Sequence, residues 1–414
     1  MTTTNASISE VRIDHDVHVS GLGANLHKLT ADQRRQLASF RVAVGKLKEA
    51  ADQKDYLESD APLVRFLIAR NWDIPKSLKM ITQALQWRNK RPCHRWNISE
   101  DEERAALFKF HSSPGKIRVP GVDIHGRPVM VFDNSRENAT AAQMKTESMQ
   151  FLAYNMSLCE RTAQSPADKI MLFMHMTEFS FFNQPPMAVT LETITILSVS
   201  FPESLGTCVI MNPPAAFRIL WNAVSGFIDP RTKSKIFLLS GDISDGSTND
   251  QVMRRIVGPN WKVLTGAGQP VKAKAFSRKT GKMIPSSPGF DVDEYWPTVM
   301  QREQAWAAKQ QQQRLGKQEK EKRHPEQLRQ QEEERRERSD AQTPMVASDV
   351  QKLAGPLTGI VVSSQKGGFT IQPWQVIAVA SVLTVILAMV FSSGEFHWAA
   401  MALPVPTRSA AQSR

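Results

Sequence analysis

The composition of this chain changes abruptly near Pro297. Apolar residues recur up to that point, but almost no core-forming residues occur in the stretch that follows, QREQAWAAKQQQQRLGKQEKEKRHPEQ. A globular fold needs apolar surface to bury. We therefore expect the packed part to end near residue 297 and residues 298–372 to form a charged, flexible linker. Glu–Arg pairs could support a helix there, but Pro325 is expected to interrupt it, and no heptad pattern indicates a coiled coil.

A second change begins at Trp374. Residues 374–391, WQVIAVASVLTVILAMVF, carry no charge, and as a helix they would span about 27 Å, close to a bilayer's hydrocarbon core. Trp374 and Trp398 suit the two membrane interfaces. The alternative, a buried core helix, lacks a surrounding domain to supply the core. We expect one transmembrane helix followed by a short tail, residues 392–414. Insertion from the cytosolic side would leave the folded domain in the cytosol, and the short span favours the endoplasmic reticulum.

The formal net charge is +11 and the pI is near 9.6. Such a charge predicts a polyanionic partner, either an anionic membrane surface or a nucleic acid. Nucleic-acid binding is disfavoured, because the basic residues after residue 297 alternate with acidic ones and lack stacking aromatics.

Only three cysteines occur, and they are widely spaced. An odd, scattered set argues against a disulfide framework or a zinc site and fits the reducing cytosol. Residues 1–25 are polar and lack an apolar stretch like that of a secretory signal, so they are expected to form a disordered lead-in.

Helical patterns fill residues 26–115. Thr30 and Gln33 form a capping box ahead of apolar residues at helical spacing, and Ser99 with Glu102 suggests another. Further helices are expected over residues 61–69 and from Pro75 to the stop at Pro92. This region is predicted to be a small helical lobe.

Strand-like and helix-like stretches alternate over residues 116–297, which indicates an α/β layer. His125-Gly126 separates two short runs and predicts a hairpin. The expected strands are 169–176, 207–211 and 235–239, and the expected helices are 141–161, 186–200 and 217–227. Apolar residues cover much of the circumference of the last helix, so it must be buried.

Three motifs occur in order along this region. The first is LVRFLIARNWDIPKSLKMITQALQWRNKRP, the second is GVDIHGRPVMVFD, and the third is FPESLGTCVIMNPPAAFRILWNAVSGFIDPRTKSKIFLLSG. Together they resemble the CRAL-TRIO family, whose best-known members are yeast-type phosphatidylinositol transfer proteins. Its Leu-Arg-Phe-Leu-Arg-Ala-Arg stretch, its Asp-Gly-Arg-Pro-Val hairpin and its strand–gate helix–strand unit correspond to the three motifs. The resemblance covers Leu26 to Gly268.

The resemblance implies an α/β fold in which a helical lobe precedes a lipid-binding lobe with a mixed sheet and a movable apolar gate helix. A diacyl lipid has about 30 methylenes, and exposing them to water would cost on the order of 25 kcal/mol, so the chains must be enclosed. The expected gate and cavity residues are Phe217, Leu220, Trp221, Val224 and Phe227. The alternative is that these are ordinary core residues.

The family's phosphoinositide binders use a basic residue, a hydroxyl and an acidic residue near the strands that flank the gate. By that resemblance, Lys235, Thr232 and Glu203 are candidate headgroup ligands. Arg70 is a fourth, although Asn71 stands where the family has a second cation, which weakens phosphatidylinositol as the ligand. The alternative for Lys235 is an ordinary solvated lysine.

Other departures concern the ligand. Met130, Ile170 and Leu172 occupy positions that are aromatic or hydroxylated in phosphatidylcholine-binding relatives, which argues against that lipid. His175 and Glu178 could suggest a metal pair, but a buried structural pair is favoured, and no metal or cofactor is expected.

The expected function is that of a membrane-tethered protein that binds and transfers a phospholipid, phosphatidylinositol or another anionic one. The alternative is a lipid-sensing adaptor that retains its lipid and recruits partners. No phosphate-binding loop, nucleophile elbow or zinc-protease helix occurs in the sequence, so no enzymatic activity and no catalytic residues are expected.

Overall fold

A computed structural model of the chain describes residues 29–133, 135–164, 169–178, 189, 192–193, 196–224 and 233–339, with side chains as far as Gly316 apart from a few positions. The predicted lead-in, residues 1–25, and the predicted membrane segment and tail, residues 374–414, lie outside the described residues. Within the described part of the chain, no helix is both long enough and apolar enough to cross a membrane.

Helices make up the first lobe. They are α1 (Ala31–Gly45), α2 (Lys54–Leu57), α3 (Asp60–Ala69), α4 (Ile74–Lys90) and α5 (Glu102–Ser112), with 3₁₀ turns at Lys48–Gln53 and Cys93–Arg95. The capping box of Thr30 and Gln33 is present at the start of α1. Apolar residues of α1, α3 and α4, among them Phe40, Phe66 and Ile81, form a core of their own.

The capping box predicted at Ser99 is wrong. Asp101 caps α5 instead, because its carboxylate accepts a hydrogen bond from the backbone N–H of Arg104 at 2.9 Å. The hydroxyl of Ser99 donates to Asn97 Oδ1 at 2.6 Å and is therefore engaged in the preceding turn. An aspartate is as good an N-cap as a serine, so spacing alone did not separate the two.

The second lobe is built on a five-stranded sheet in the order β1-β2-β3-β4-β5. Its strands are β1 (Ile117–Val122), β2 (Pro128–Asp133), β3 (Ile170–His175), β4 (Leu205–Met211) and β5 (Ile236–Leu239). β1 and β2 are antiparallel, as the predicted hairpin requires, and the other neighbours are parallel. The sheet is mixed, in agreement with the expected α/β fold.

Both faces of the sheet are buried. Val129 and Val131 of β2 belong to one apolar core, and Met130 and Phe132 to another, because successive side chains of a strand point to opposite faces. The first core is closed by α9 (Thr248–Ile256) and α10 (Trp261–Thr265). The second is closed by α6 (Ala141–Lys145), α7 (Glu147–Thr162) and α8 (Ala215–Val224). Residues 141–161, expected as one helix, are thus divided at Thr146.

Between β3 and β4, a π-helical turn over Ile196–Ser200 falls within the expected helix 186–200. After α10, a two-stranded antiparallel sheet follows, formed by β6 (Lys274–Ser277) and β7 (Lys282–Pro285).

The final described helix, α11 (Val292–Ser339), differs from the expected flexible linker starting at residue 298. Its first turns pack on the folded lobe: Trp296 and Val299 are buried, and Glu303 is fully buried. Pro325 lies inside the helix rather than interrupting it. Gln, Glu, Lys, Arg and Ala are good helix formers, and oppositely charged pairs four residues apart add support.

Candidate functional site

The predicted gate begins just after β4, where Pro213 and Pro214 lead into α8. Phe217 and Trp221, four residues apart, lie on one face and are 2% and 7% exposed within the core under the sheet. Arg218 points outward, and its Nη2 donates to Ser240 Oγ at 2.5 Å. The helix therefore buries one face and exposes another at these positions. The side chains of Leu220 and Val224, and Phe227 as a whole, lie outside the described residues.

Two small cavities lie near the amino edge of the sheet. A cavity of about 10 Å³ lies among Met156, Ile170, Leu197 and Phe201, which is room for about one water molecule. A second cavity of similar size adjoins it beside Lys169. The enclosed cavity expected behind the gate stays a prediction, because much of the gate, including residues 225–232, lies outside the described residues.

Two of the four predicted headgroup residues lie at the same edge of the sheet. Glu203 lies just before β4 and Lys235 just before β5, and these strands are neighbours: Cys208 N donates to Lys235 O at 2.8 Å. Parallel strands have their amino ends at one edge, so both residues lie at the amino edge of the sheet. Glu203 is buried, whereas Lys235 is half-buried. Thr232 lies outside the described residues.

Arg70 ends α3 in the helical lobe, where its Nη1 donates to Ala69 O at 2.7 Å. Asn71 and Trp72 follow with φ of 50° and 65°, and Trp72 N donates to Leu67 O at 2.7 Å. Asparagine tolerates this left-handed conformation better than most residues. The left-handed backbone of this turn therefore explains why an asparagine occupies position 71, where the family has a cation.

Sequence reasoning missed Lys169, which precedes β3 at the same edge. Its ammonium donates to the backbone carbonyl of Glu203 and lies 3.6 Å from Glu203 Oε2. Burial lowers the pKa of Lys169 to about 8; Glu203 opposes this shift, while Lys235 and Arg65 reinforce it. The only signal in the sequence is a lysine directly before an apolar strand, which is too common to single out.

Arg65 and Arg88 reach the same region from α3 and α4. Each guanidinium lies 3.7 Å from Glu160 Oε1 of α7. Arg88 is fully buried and stacks 3.7 Å over the ring of Tyr56, and its three nitrogens have no hydrogen-bond partner among the described residues. Charged side chains are rarely buried unless they are paired, so each of these two arginines is expected to have a role in the structure or the function.

We use the name cationic cluster for one set of side chains at the junction of the two lobes. Its members are Arg65, Arg88, Lys169 and Lys235, with the carboxylates of Glu160 and Glu203 among them. The cluster carries more positive than negative charge and adjoins the apolar interior, since Arg65, Lys169 and Phe201 line the same small cavity. It can attract an anionic group at the edge of an apolar compartment.

The pair considered as a metal site is otherwise engaged. Glu178 Oε2 lies 2.6 Å from Arg136 Nη1, and burial lowers the pKa of His175. Across the described residues, no group of three or more His, Cys, Asp or Glu side chains has metal-binding geometry.

Part of the chain matches a known protein family. Residues 112–254, from the end of α5 to α9, match the CRAL/TRIO domain. This chain contains a CRAL/TRIO domain. Members of that family bind or transfer lipids and are not typically enzymes, which supports at this coarse level the expectation of no catalytic activity.

Several curated relatives resemble the chain at low identity. The CRAL-TRIO domain-containing protein T23G5.2 of Caenorhabditis elegans is 25% identical over 240 residues, which cover 54% of this chain and 32% of that protein. The phosphatidylinositol/phosphatidylcholine transfer protein SFH12 of Arabidopsis thaliana is 27% identical over 254 residues, 57% of this chain and 42% of that protein. The chain thus spans about a third to a half of the length of the relatives it matches first.

Among solved structures, the crystal structure of Sfh5 aligns with 54% of this chain and 83% of that chain, at 13% identity and a TM-score of 0.35. At this low score, the CRAL/TRIO assignment depends on the family match to residues 112–254.

Proposed function

We propose that this protein binds one phospholipid in its α/β lobe and transfers it between membranes, with phosphatidylinositol or another anionic phospholipid as the ligand. The observation that carries the proposal is the cationic cluster beside the apolar interior of a CRAL/TRIO domain. An anionic headgroup and two acyl chains need those two environments side by side.

The acyl chains set the larger energetic demand. About 30 methylenes must leave the membrane without meeting water, which is worth on the order of 25 kcal/mol. Because Phe217 and Trp221 of α8 are buried against the sheet, we expect loading of the ligand to move α8 outward and carry these two side chains away from the sheet. Gate motions of this kind occur on microsecond to millisecond timescales.

The headgroup sets specificity. Lys235 is half-buried at the amino edge of the sheet, and a charge-assisted hydrogen bond from its ammonium to a phosphate is worth about 1.5–3 kcal/mol. Thr232 and Arg70 complete the proposed set. Relatives named as transfer proteins for phosphatidylinositol and phosphatidylcholine, such as SFH12, support this ligand class.

The last part of the proposed function is attachment of the chain to a membrane. Residues 374–391 anchor the chain in a membrane, with endoplasmic reticulum favoured, and hold the folded domain in the cytosol. The intervening chain lets the domain reach a nearby second bilayer. The described cysteines, Cys93, Cys159 and Cys208, are all free thiols, which fits a reducing compartment.

The headgroup role of Lys235 is tested by phosphatidylinositol uptake into the full chain from labelled vesicles. Lys235→Ala is expected to weaken uptake by about tenfold or more, because one sheltered charge-assisted contact is lost. Lys233→Ala is the matched control, since Lys233 is exposed two residues earlier. Unchanged uptake by a folded Lys235→Ala protein would rule out the assigned role.

A lipid-sensing adaptor is the second candidate, and the burial of Phe217 and Trp221 on α8 favours it, because a gate held against the sheet would release lipid slowly. Transfer distinguishes the two. A carrier delivers labelled lipid from donor to acceptor vesicles over repeated rounds, whereas a sensor retains a single bound lipid without exchange.

A further inference from the structure

The two-stranded sheet of β6 and β7 presents apolar side chains to solvent. Phe276 is 49% and Met283 57% exposed, and they are directly opposite each other across the two strands. Single exposed apolar residues are common on soluble proteins. A large aromatic and a methionine in adjacent cross-strand positions form a continuous apolar surface, which more often marks a contact site.

The hairpin is held firmly, so its exposure is not the result of poor packing. Ala275, on the opposite face from Phe276, is 3% exposed. Arg278 N donates to Asn138 O at 2.9 Å, and the guanidinium of Arg278 lies 4.3 Å over the ring of Phe110. Ser287 Oγ donates to Asp133 Oδ2 at 2.8 Å. A rigid support keeps the pair pointing outward at no further ordering cost.

The charged residues within the hairpin sequence have one sign. Residues 266–290 contain no acidic residue but include Lys272, Lys274, Arg278, Lys279 and Lys282. Lys272 is paired with Glu294 at 2.9 Å, whereas Lys274 and Lys282 are exposed in β6 and β7. Lys274 lies two residues from Phe276, on the same face of the strand. An exposed apolar pair with lysines in the same hairpin matches a surface that has an apolar interior and an anionic face.

We infer that the β6–β7 hairpin docks this protein onto an anionic lipid bilayer, with Phe276 and Met283 entering the interface and the lysines contacting acidic headgroups. The hairpin adjoins the end of β2 through Asp133 and Ser287. It therefore lies at the carboxyl edge of the sheet, opposite the amino edge that holds Lys169, Glu203 and Lys235. α8 also starts from the carboxyl edge, two strands away, so the hairpin and the start of the gate lie at the same edge of the sheet.

The docking surface is tested on the full chain with a fluorophore that reports only on the hairpin. Thr280→Cys, in the exposed turn, accepts an environment-sensitive label, because Cys93, Cys159 and Cys208 are buried. We expect a blue shift on adding vesicles of phosphatidylcholine with phosphatidylserine, little shift with phosphatidylcholine alone, and loss of the shift in high salt.

Variants assign the shift to the named side chains. Phe276→Glu combined with Met283→Glu should raise the lipid concentration for half-maximal shift at least about tenfold. Lys274→Gln and Lys282→Gln should each raise it about fivefold. The matched control is Val42→Glu, which changes another exposed apolar residue, 60% exposed on α1, and should leave the shift unaltered. Circular dichroism checks that each variant is folded.

Three results would overturn the inference. The label could respond equally to zwitterionic and anionic vesicles, which would remove the role of the lysines. It could ignore vesicles but shift with poly-glutamate, which would assign the surface to an acidic protein. It could shift with protein concentration alone, which would assign it to a second copy of the chain. None of these results depends on lipid uptake into the α/β lobe, so the proposed function is tested separately.

Discussion

At the scale of single residues, the junction of the two lobes is defined by charges that folding has removed from water. Lys169 is the clearest case, since its side chain is 4% exposed and its ammonium is engaged with Glu203. Burial of a charged group lowers stability unless partners compensate. Lys169 is only partly compensated, because its pKa falls to about 8.

That depressed pKa predicts a pH dependence of stability. Between about pH 8 and 10.5 the unfolded chain binds a proton at Lys169 that the folded chain does not, so the free energy of unfolding should rise with pH across this window. Below pH 8 the full penalty, on the order of 3 kcal/mol, is present. Urea unfolding of the wild type and of Lys169→Met at several pH values measures this penalty. The difference in the free energy of unfolding between the two proteins should change by the size of the penalty as the pH rises. A difference that stays constant from pH 7 to 10.5 would show that the pKa of Lys169 is not lowered by folding.

The sequence revealed only some of these residues. Lys235 and Glu203 were found because a family motif fixes their positions next to two strands. Glu160 could not be found in this way, because it meets Arg65 and Arg88 only through the packing of α7 on the helical lobe. No local pattern encodes contacts between residues so far apart along the chain.

At the scale of elements, the spacing of apolar and turn-forming residues predicted the helices and strands that depend on local sequence alone. Gly126, with φ of 72°, gives the hairpin of β1 and β2 its turn. The apolar strands β3, β4 and β5 were also foreseen, because buried parallel strands read as short apolar runs. α11 was not, since its polar sequence looks like a linker. What holds its first turns is a few widely spaced contacts, such as those of Trp296 and Glu303.

Those contacts predict that a chain ending at Pro297 will be poorly stable. Glu303 Oε1 and Oε2 accept hydrogen bonds from Arg161 Nη1 at 2.7 and 2.6 Å, and Tyr154 donates to Glu303 Oε1 at 3.2 Å. Removing Glu303 leaves Arg161 buried without this carboxylate, at a cost of about 3–5 kcal/mol.

Urea unfolding of two shortened chains measures this cost. The chain that ends at Pro297 should unfold at a lower denaturant concentration than the chain that ends at Gly316. Glu303→Gln in the longer chain should fall between them. Equal midpoints for the two fragments would mean that the start of α11 contributes nothing to the folded lobe.

At the scale of the whole molecule, the proposed function needs an α/β lobe that can open. Phe217 and Trp221 of α8 are buried against the sheet, so we expect α8 to move outward when a phospholipid is loaded. A bilayer against the carboxyl edge of the sheet is where that movement would be useful. The sequence predicted which helix covers this core, but not how its side chains pack, because packing depends on how side chains from distant elements interlock.

Native mass spectrometry of the full chain shows whether the α/β lobe holds a phospholipid, which the proposed function requires. The protein is incubated with vesicles that contain phosphatidylinositol and phosphatidylcholine and is then separated from them. We expect an added mass of one phospholipid per folded chain, predominantly phosphatidylinositol. Folded protein that acquires no lipid, from these vesicles or during expression, would show that the chain is not a lipid carrier.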